Sequence, residues 1–117
     1  MDKPLNKVTI ITRREKTEEL RQALIDQGVN GITVTMVEGC GVQHAVVRYF
    51  RGVKAEMRLL PKVMFEMVVS EDISVENIVK AAREVLYTGE IGDGKIFIEE
   101  ELAAYKVRTG EEGEAAL

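Results

Sequence analysis

The stretch TGEIGDGKIFI, residues 88–98, decides the fold of this chain, because it joins a helical pattern to a strand pattern through three glycines and a lysine. Glycine adopts positive φ angles at little cost, so a glycine-rich loop can turn several backbone N–H groups toward one concavity that binds anions. Lys95 adds a mobile positive charge. The stretch therefore predicts a phosphate-binding loop, called here the phosphate loop (residues 87–95).

The spacing of Gly89, Gly94 and Lys95 also fits the Walker A pattern, but two features argue against a P-loop nucleotidase. Ile96 stands where that pattern requires Ser or Thr, whose hydroxyl ligates Mg²⁺. A P-loop also runs from a strand into a helix, whereas this loop runs from a helical pattern into a strand. We therefore interpret the loop as a nucleotide-phosphate site of another kind.

Hydrophobic periodicity outward from the loop predicts the order β-α-β-β-α-β. We expect strands at residues 6–12, 32–37, 59–69 and 95–99, and helices at 17–27 and 75–86. Ser74 is the expected N-cap of the second helix, Gly28 follows the first, and Pro61 marks a bulge or an edge. This order is typical of an α+β, ferredoxin-like domain, in which a four-stranded antiparallel sheet carries both helices on one face. Apolar residues on the other face predict an oligomer that covers it.

Two segments fall outside this pattern. Residues 39–55 have no clear periodicity and are too long for a hairpin in so small a domain, so we expect a functional loop. The polar tail after Arg108 is expected to be mobile unless something binds it.

Composition limits the function classes. With 117 residues, 45% of them hydrophobic, the chain suits one domain spanning 1–117, and it shows neither a signal peptide nor a membrane-spanning stretch. The single Cys40 cannot form an internal disulfide, which favours a reducing, cytoplasmic setting. A net charge of −4 argues against a nucleic-acid partner, since such proteins usually present a basic surface.

Four short motifs occur in one order along the chain: GCGVQ at 39–43, LPKV at 60–63, TGEIGDGKIF at 88–97 and KVRTGE at 106–111. Together they resemble the PII signal-transduction proteins over nearly the whole chain. The resemblance implies a homotrimer with ATP or ADP in the clefts between subunits. It also implies a target loop (residues 39–55) that reports ligand state to other proteins. Such a chain is a regulator, not an enzyme.

Carried over to this sequence, the resemblance implies two sets of binding residues. The nucleotide set comprises Thr33, Gly41, Glu66, Val68, Thr88, Gly92, Asp93, Gly94, Lys95, Lys106 and Arg108. Within it, residues 92–95 would wrap the phosphates, and Lys106 and Arg108, in the C-terminal segment (residues 104–117), would reach them from a neighbouring subunit. 2-Oxoglutarate would bind through a Mg²⁺ that also holds the ATP phosphates, with Gln43 as a metal ligand and Arg13 and Lys62 near its carboxylates.

The resemblance also suggests targets and shows departures. Arg51 matches the arginine that some members insert into an ammonium transporter, so a membrane would be met only through such a partner; a glutamine-metabolism enzyme or regulator is the other target class. Ala55 stands where some members carry a modified tyrosine, so we do not expect that modification. Val42 and Lys106 replace usual arginines, which predicts weaker phosphate contact.

Three alternatives stay open at this stage. The chain can be a PII-like adenine-nucleotide sensor that does not respond to 2-oxoglutarate and acts on a different target. A small NTPase is disfavoured because no nucleophile with a partner base is visible. An RNA-binding module of the same topology is disfavoured because the chain is acidic and Phe97 is the only aromatic residue in its strand.

Overall fold

The computed structural model describes residues 3–43 and 56–117. In this part of the chain the main elements are β1 (Leu5–Arg13), α1 (Thr17–Asp26), β2 (Thr33–Gln43), β3 (Glu56–Ser70), α2 (Val75–Leu86) and β4 (Lys95–Glu101). Short 3-10 turns cover Arg14–Lys16 and Gly113–Ala116. The strands form one antiparallel sheet in the order β2-β3-β1-β4. The predicted ferredoxin-like fold is confirmed.

The core lies between the sheet and the two helices. The central strands β1 and β3 send alternate residues to this side, where Val8 is paired in register with Met67 and Ile10 with Phe65. All four side chains are buried. The removal of apolar surface from water is the strongest favourable term in folding. The helices complete the core with Leu20 and Leu24 from α1 and with Ile78, Ala82 and Leu86 from α2.

The helix ends follow the local signals in the sequence. Ser74 caps α2, because its hydroxyl oxygen accepts a hydrogen bond from the N–H of Asn77 at 3.2 Å. After α1 the chain turns at Gly28, whose φ of 90° lies in the left-handed region that glycine tolerates. Both predicted helix boundaries are confirmed to within one residue.

β2 and β3 are longer than expected. Their pairing continues beyond the sheet to Gln43 and Glu56, whereas β1 ends at Arg13, opposite Lys62. The pairs from Glu38–Pro61 outward therefore form a two-stranded ribbon (residues 38–43 and 56–61). The expectation that an aperiodic loop begins at residue 39 was wrong, because the glycines in this stretch interrupt the alternation of side chains without breaking the backbone ladder.

Pro61 lies in the ribbon, just past the last pair between β3 and β1. The register between β2 and β3 runs through it without a bulge, so the edge interpretation is correct. Residues 44–55, which include most of the target loop and the predicted positions Arg51 and Ala55, lie outside the described residues.

The sheet face opposite the helices carries a mixture of apolar and charged side chains. Ile11, Met64 and the charged Glu66 are half-buried there, and Phe97 on the edge strand β4 is 47% exposed. Nothing in residues 3–43 and 56–117 of one chain covers this face with a further layer. In the same described ranges, no helix has the length and apolar character needed to cross a membrane.

Candidate anion-binding site

The phosphate loop connects α2 to β4 and is shaped by three glycines. Gly89, Gly92 and Gly94 have φ values of 86°, 106° and 106°, a region that side chains with a Cβ rarely adopt. Lys95 follows as the first residue of β4, with its side chain exposed. The loop thus has the backbone conformation that the sequence predicted for it.

Asp93 closes the loop from the inside. Its carboxylate accepts hydrogen bonds from the backbone N–H of Thr88 at 2.8 Å and of Gly89 at 3.0 Å, and the hydroxyl of Thr88 also donates to it. Arg13 Nη1 lies 2.6 Å from Asp93 Oδ1. These bonds, first those of Thr88, hold the pKa of the Asp93 carboxyl far below its ordinary value. The Asp93 side chain is therefore committed to the loop itself.

Two cations converge on the next part of the loop. Arg13 Nη2 donates to the carbonyl of Ile91 at 2.9 Å, and Lys62 Nζ donates to the carbonyl of Gly92 at 3.0 Å. A Cβ placed on Gly92 would lie 3.2 Å from Arg13 Nη2 and 3.5 Å from Lys62 Nζ. With Asp93 bonded to one of them, the two cations leave positive charge beside the loop, which favours an anion.

The last residues of β1 form the floor under the loop. The buried hydroxyl of Thr12 donates to the carbonyl of Asp93 at 2.8 Å. Gly94 passes so close to the carbonyl of Ile11 that a Cβ on Gly94 would overlap that oxygen. Sequence reasoning missed Thr12. The only signal for Thr12 in the sequence is that it is a polar residue on the face of β1 whose other core residues are apolar.

The Arg14 side chain contacts two backbone carbonyls near the end of β1. Its guanidinium donates to the carbonyl of Val37 at 2.8 Å and to that of Lys62 at 3.2 Å. These bonds fasten the end of β1 to the base of the ribbon. Arg14 therefore helps to hold the Lys62 backbone in place.

A second concave region lies toward the other end of the sheet. This cleft, of about 750 Å³, includes the predicted residues Thr33, Glu66 and Val68 and part of the C-terminal segment, among it Leu117. Lys7 lies in the cleft and forms an ion pair with Glu66 at 3.0 Å. Glu66 is about 13 Å from Lys62 along β3, so this cleft is separate from the phosphate loop of the same chain.

The C-terminal segment is folded, contrary to the expectation of a mobile tail. The N–H of Lys106 donates to the carbonyl of Glu111 at 2.7 Å, and the N–H of Gly110 donates back to the carbonyl of Lys106 at 2.7 Å. An ion pair between Lys3 and Glu114 at 3.4 Å then links the final turn to the residues that precede β1. The composition of this polar segment did not reveal that its backbone forms turn hydrogen bonds.

The predicted site residues therefore fall into separate groups. Arg13, Lys62, Thr88 and residues 92–95 meet at the phosphate loop, whereas Thr33, Glu66 and Val68 meet at the cleft. Lys106 and Arg108 lie in the C-terminal segment, which follows β4. The strand β4 is about 20 Å long from Lys95 to Glu101. Gly41 lies in the ribbon, paired with Arg58. Gln43 ends β2, and its side chain is outside the described part of the chain.

The described residues offer few clustered metal donors. In the described ranges no group of three or more His, Cys, Asp or Glu side chains is placed to hold a metal ion.

The fold and the loop define a class: a ferredoxin-like domain with a glycine-rich loop, flanked by two cationic side chains, between its second helix and last strand. The family described as nitrogen regulatory protein P-II matches residues 5–111. Nitrogen regulatory protein P-II 1 of Methanothermobacter thermautotrophicus is 43% identical over 116 residues, covering 98% of this chain and 99% of the relative. GlnK of Escherichia coli is 39% identical over 110 residues, covering 94% and 97%. The chain belongs to the P-II family of nitrogen regulatory proteins.

Solved structures agree with this assignment. A Bacillus subtilis GlnK–ATP complex superposes with a TM-score of 0.83 at 38% identity, covering 100% of this chain and 99% of that one. Arabidopsis thaliana PII bound to citrate superposes with a TM-score of 0.76 at 34% identity, covering 99% and 94%.

Replacing Gly94 tests the packing of the loop on β1. We expect Gly94→Ala to lower the free energy of unfolding by about 3 kcal/mol or more, because the added Cβ meets backbone atoms that cannot move aside. Gly110→Ala is the control: Gly110 also has a positive φ, of 75°, but open space around it, so we expect a loss of about 1 kcal/mol. Urea denaturation measures both, and equal losses would contradict the close approach.

The lowered pKa of Asp93 predicts a pH dependence of stability. A carboxyl whose pKa is depressed on folding stabilises the folded state above its unfolded pKa, and this contribution disappears as the pH falls toward the folded pKa. We expect Asp93→Asn to lower the melting temperature by a constant amount above pH 5, and the difference from the wild type to shrink below about pH 4. Melting curves between pH 7 and pH 2 measure it; a difference that grows on acidification would be inconsistent with these bonds.

Proposed function

We propose that this chain is a non-catalytic, cytoplasmic regulator that binds ATP or ADP between the subunits of a homotrimer and controls nitrogen metabolism through its target loop. One observation carries the proposal. The phosphate loop precedes β4 and the basic residues of the C-terminal segment follow it, so the length of that strand, about 20 Å, separates the two in one chain. A second copy can bring its C-terminal segment to the loop of the first, and a ring of such contacts closes in a trimer.

The phosphates would be held by groups from both copies. The N–H groups of residues 92–94 and the ammonium of Lys95 come from one chain, and Lys106 and Arg108 come from its neighbour. Several cations are needed, because a triphosphate carries several negative charges into a cleft that excludes part of its water. The TM-score of 0.83 with a GlnK–ATP complex supports nucleotide as the ligand.

The base would lie in the 750 Å³ cleft, against Thr33, Glu66 and Val68. The C-terminal segment borders this cleft in the same chain, and it also carries Lys106 and Arg108. The neighbour that provides the basic residues would therefore also provide the base-binding cleft. This arrangement matches a nucleotide that spans two subunits, with its phosphates on one and its base on the other.

A dicarboxylate such as 2-oxoglutarate is the second ligand that we propose. Arg13 and Lys62 are paired on neighbouring strands, and both place cationic groups beside Gly92. Two adjacent cations suit the carboxylates of a small diacid. The citrate-bound Arabidopsis PII supports carboxylate binding in a relative. Mg²⁺, when bound, would link the phosphates to this ligand, with Gln43 as a protein donor.

The target loop would report which ligands are bound. Lys62 ends the sheet and begins the ribbon that leads to this loop, so an anion that engages Lys62 acts at the base of the ribbon. The proposed targets are an ammonium transporter, for which Arg51 is the candidate contact, or a glutamine-metabolism enzyme or regulator. Should the carboxylate site not function, the chain would be an adenine-nucleotide sensor with a different target.

Subunit mixing tests the shared nucleotide site. Lys95→Ala should abolish one half of each cleft and Arg108→Ala the other, so each variant alone should bind ATP at least about tenfold more weakly. Unfolding and reassembling the two variants together should restore wild-type affinity in about one quarter of the clefts, because a random ring places two intact halves together that often. Calorimetric titration with ATP counts these sites.

Lys80→Ala serves as the control for mixing, because Lys80 is exposed on α2. The Lys80→Ala variant should bind ATP like the wild type, and its molecular mass in solution should be that of a trimer. A monomeric protein, or a Lys95→Ala and Arg108→Ala mixture that recovers no tight sites, would contradict the proposal.

Titration with 2-oxoglutarate tests the second ligand. We expect binding only when Mg-ATP is present, because the metal and the phosphates complete the site. Lys62→Met, which keeps the aliphatic stem, should weaken 2-oxoglutarate by about tenfold or more and ATP by a smaller factor, since Lys62 also holds the Gly92 carbonyl. Lys80→Met is the matched control. Failure of the wild type to bind 2-oxoglutarate under these conditions would favour the nucleotide-sensor alternative.

A further inference from the structure

Three successive carbonyl groups in the phosphate loop are each held by a different side chain. Arg13 donates to the carbonyl of Ile91, Lys62 to that of Gly92 and Thr12 to that of Asp93, at 2.9, 3.0 and 2.8 Å. Thr12 and Arg13 end β1, and Lys62 lies on β3 opposite Arg13, so the sheet fixes all three donors. The loop is therefore attached to the sheet through its carbonyl oxygens.

Each of these bonds also orients the N–H of the following residue. In a trans peptide the C=O and the N–H of one planar unit point in opposite directions, and the described residues contain no cis peptide. Because Thr12 draws the Asp93 carbonyl toward the buried side of β1, the N–H of Gly94 points away from the core. The next residue, Lys95, is the exposed cation proposed to meet the phosphates.

Thr12 is an unusual member of the core. It is 1% exposed, and it shares the helix-facing side of β1 with Val8 and Ile10. A buried hydroxyl costs free energy unless it is hydrogen-bonded, and valine has nearly the same shape without that cost. The bond from Thr12 to Asp93 satisfies this hydroxyl and ties the core to the loop.

We infer that Thr12 is a positioning residue of the nucleotide site: by holding the Asp93 carbonyl, it aims the Gly94 N–H at a phosphate oxygen without touching the nucleotide. This inference rests on the proposed function. It differs from a purely structural role, in which the Thr12 hydroxyl would matter for stability alone. It assigns the orientation of a ligand-binding amide to a side chain on the opposite, buried side of the sheet.

Two substitutions, each of which changes one group of the threonine side chain, separate these roles. Thr12→Ser keeps the hydroxyl and should bind ATP within about twofold of the wild type, whereas Thr12→Val loses it and should bind about tenfold more weakly. The measurements are calorimetric titration of the full-length protein with ATP and the amide NMR signal of Gly94. That signal should shift on ATP addition in the wild type and in Thr12→Ser, and much less in Thr12→Val.

The outcomes are distinct. If Thr12→Val binds ATP like the wild type and its Gly94 signal shifts normally, the inference on Thr12 is wrong while the proposed function stands. If the wild type does not bind ATP, the proposed function fails and this inference fails with it. Should Thr12→Val not fold, Thr12→Ala compared with Thr12→Ser decides the question in the same way, since only the alanine variant lacks the hydroxyl.

Discussion

The contact between the phosphate loop and the end of β1 is the constraint on which the candidate site depends. Gly94 approaches the Ile11 carbonyl so closely that only a residue without a side chain fits, and one residue later the chain pairs with β1 as β4. The position of the loop is thus set by the backbone of the central strand. Because β1 also pairs with β3, the same strand fixes Lys62 relative to the loop.

Electrostatics in the loop are arranged around Asp93. An acidic residue beside a proposed phosphate site looks unfavourable, but its carboxylate is turned inward and neutralised by Arg13 and by the amides of Thr88 and Gly89. It acts as a built-in anion that organises the loop before a ligand arrives. A loop organised in this way would present its remaining N–H groups to an anion without first having to be ordered.

The fold was predictable because its signals are local. Alternating and helical periodicity, the Ser74 cap and Gly28 each report on a few neighbouring residues, and all of them agree with one topology. The loop conformation was predictable for the same reason. The ribbon was missed because its glycines hide the strand pattern, and the folded C-terminal segment was missed because its order comes from turn hydrogen bonds.

The division of the predicted site residues among the loop, the cleft and the C-terminal segment, and the role of Thr12, depend on register between distant strands. No local pattern reports that register. The extended pairing of β2 and β3 has a mechanical consequence. The ribbon continues for about 20 Å past Lys62, so a rotation about its base would pivot at a charged side chain of the proposed ligand site. A tilt of about 10° at that pivot would displace the far end by about 3 Å, enough to break or make individual hydrogen bonds. Amplification of this kind converts a change of one ammonium contact into a change of shape at the distal surface.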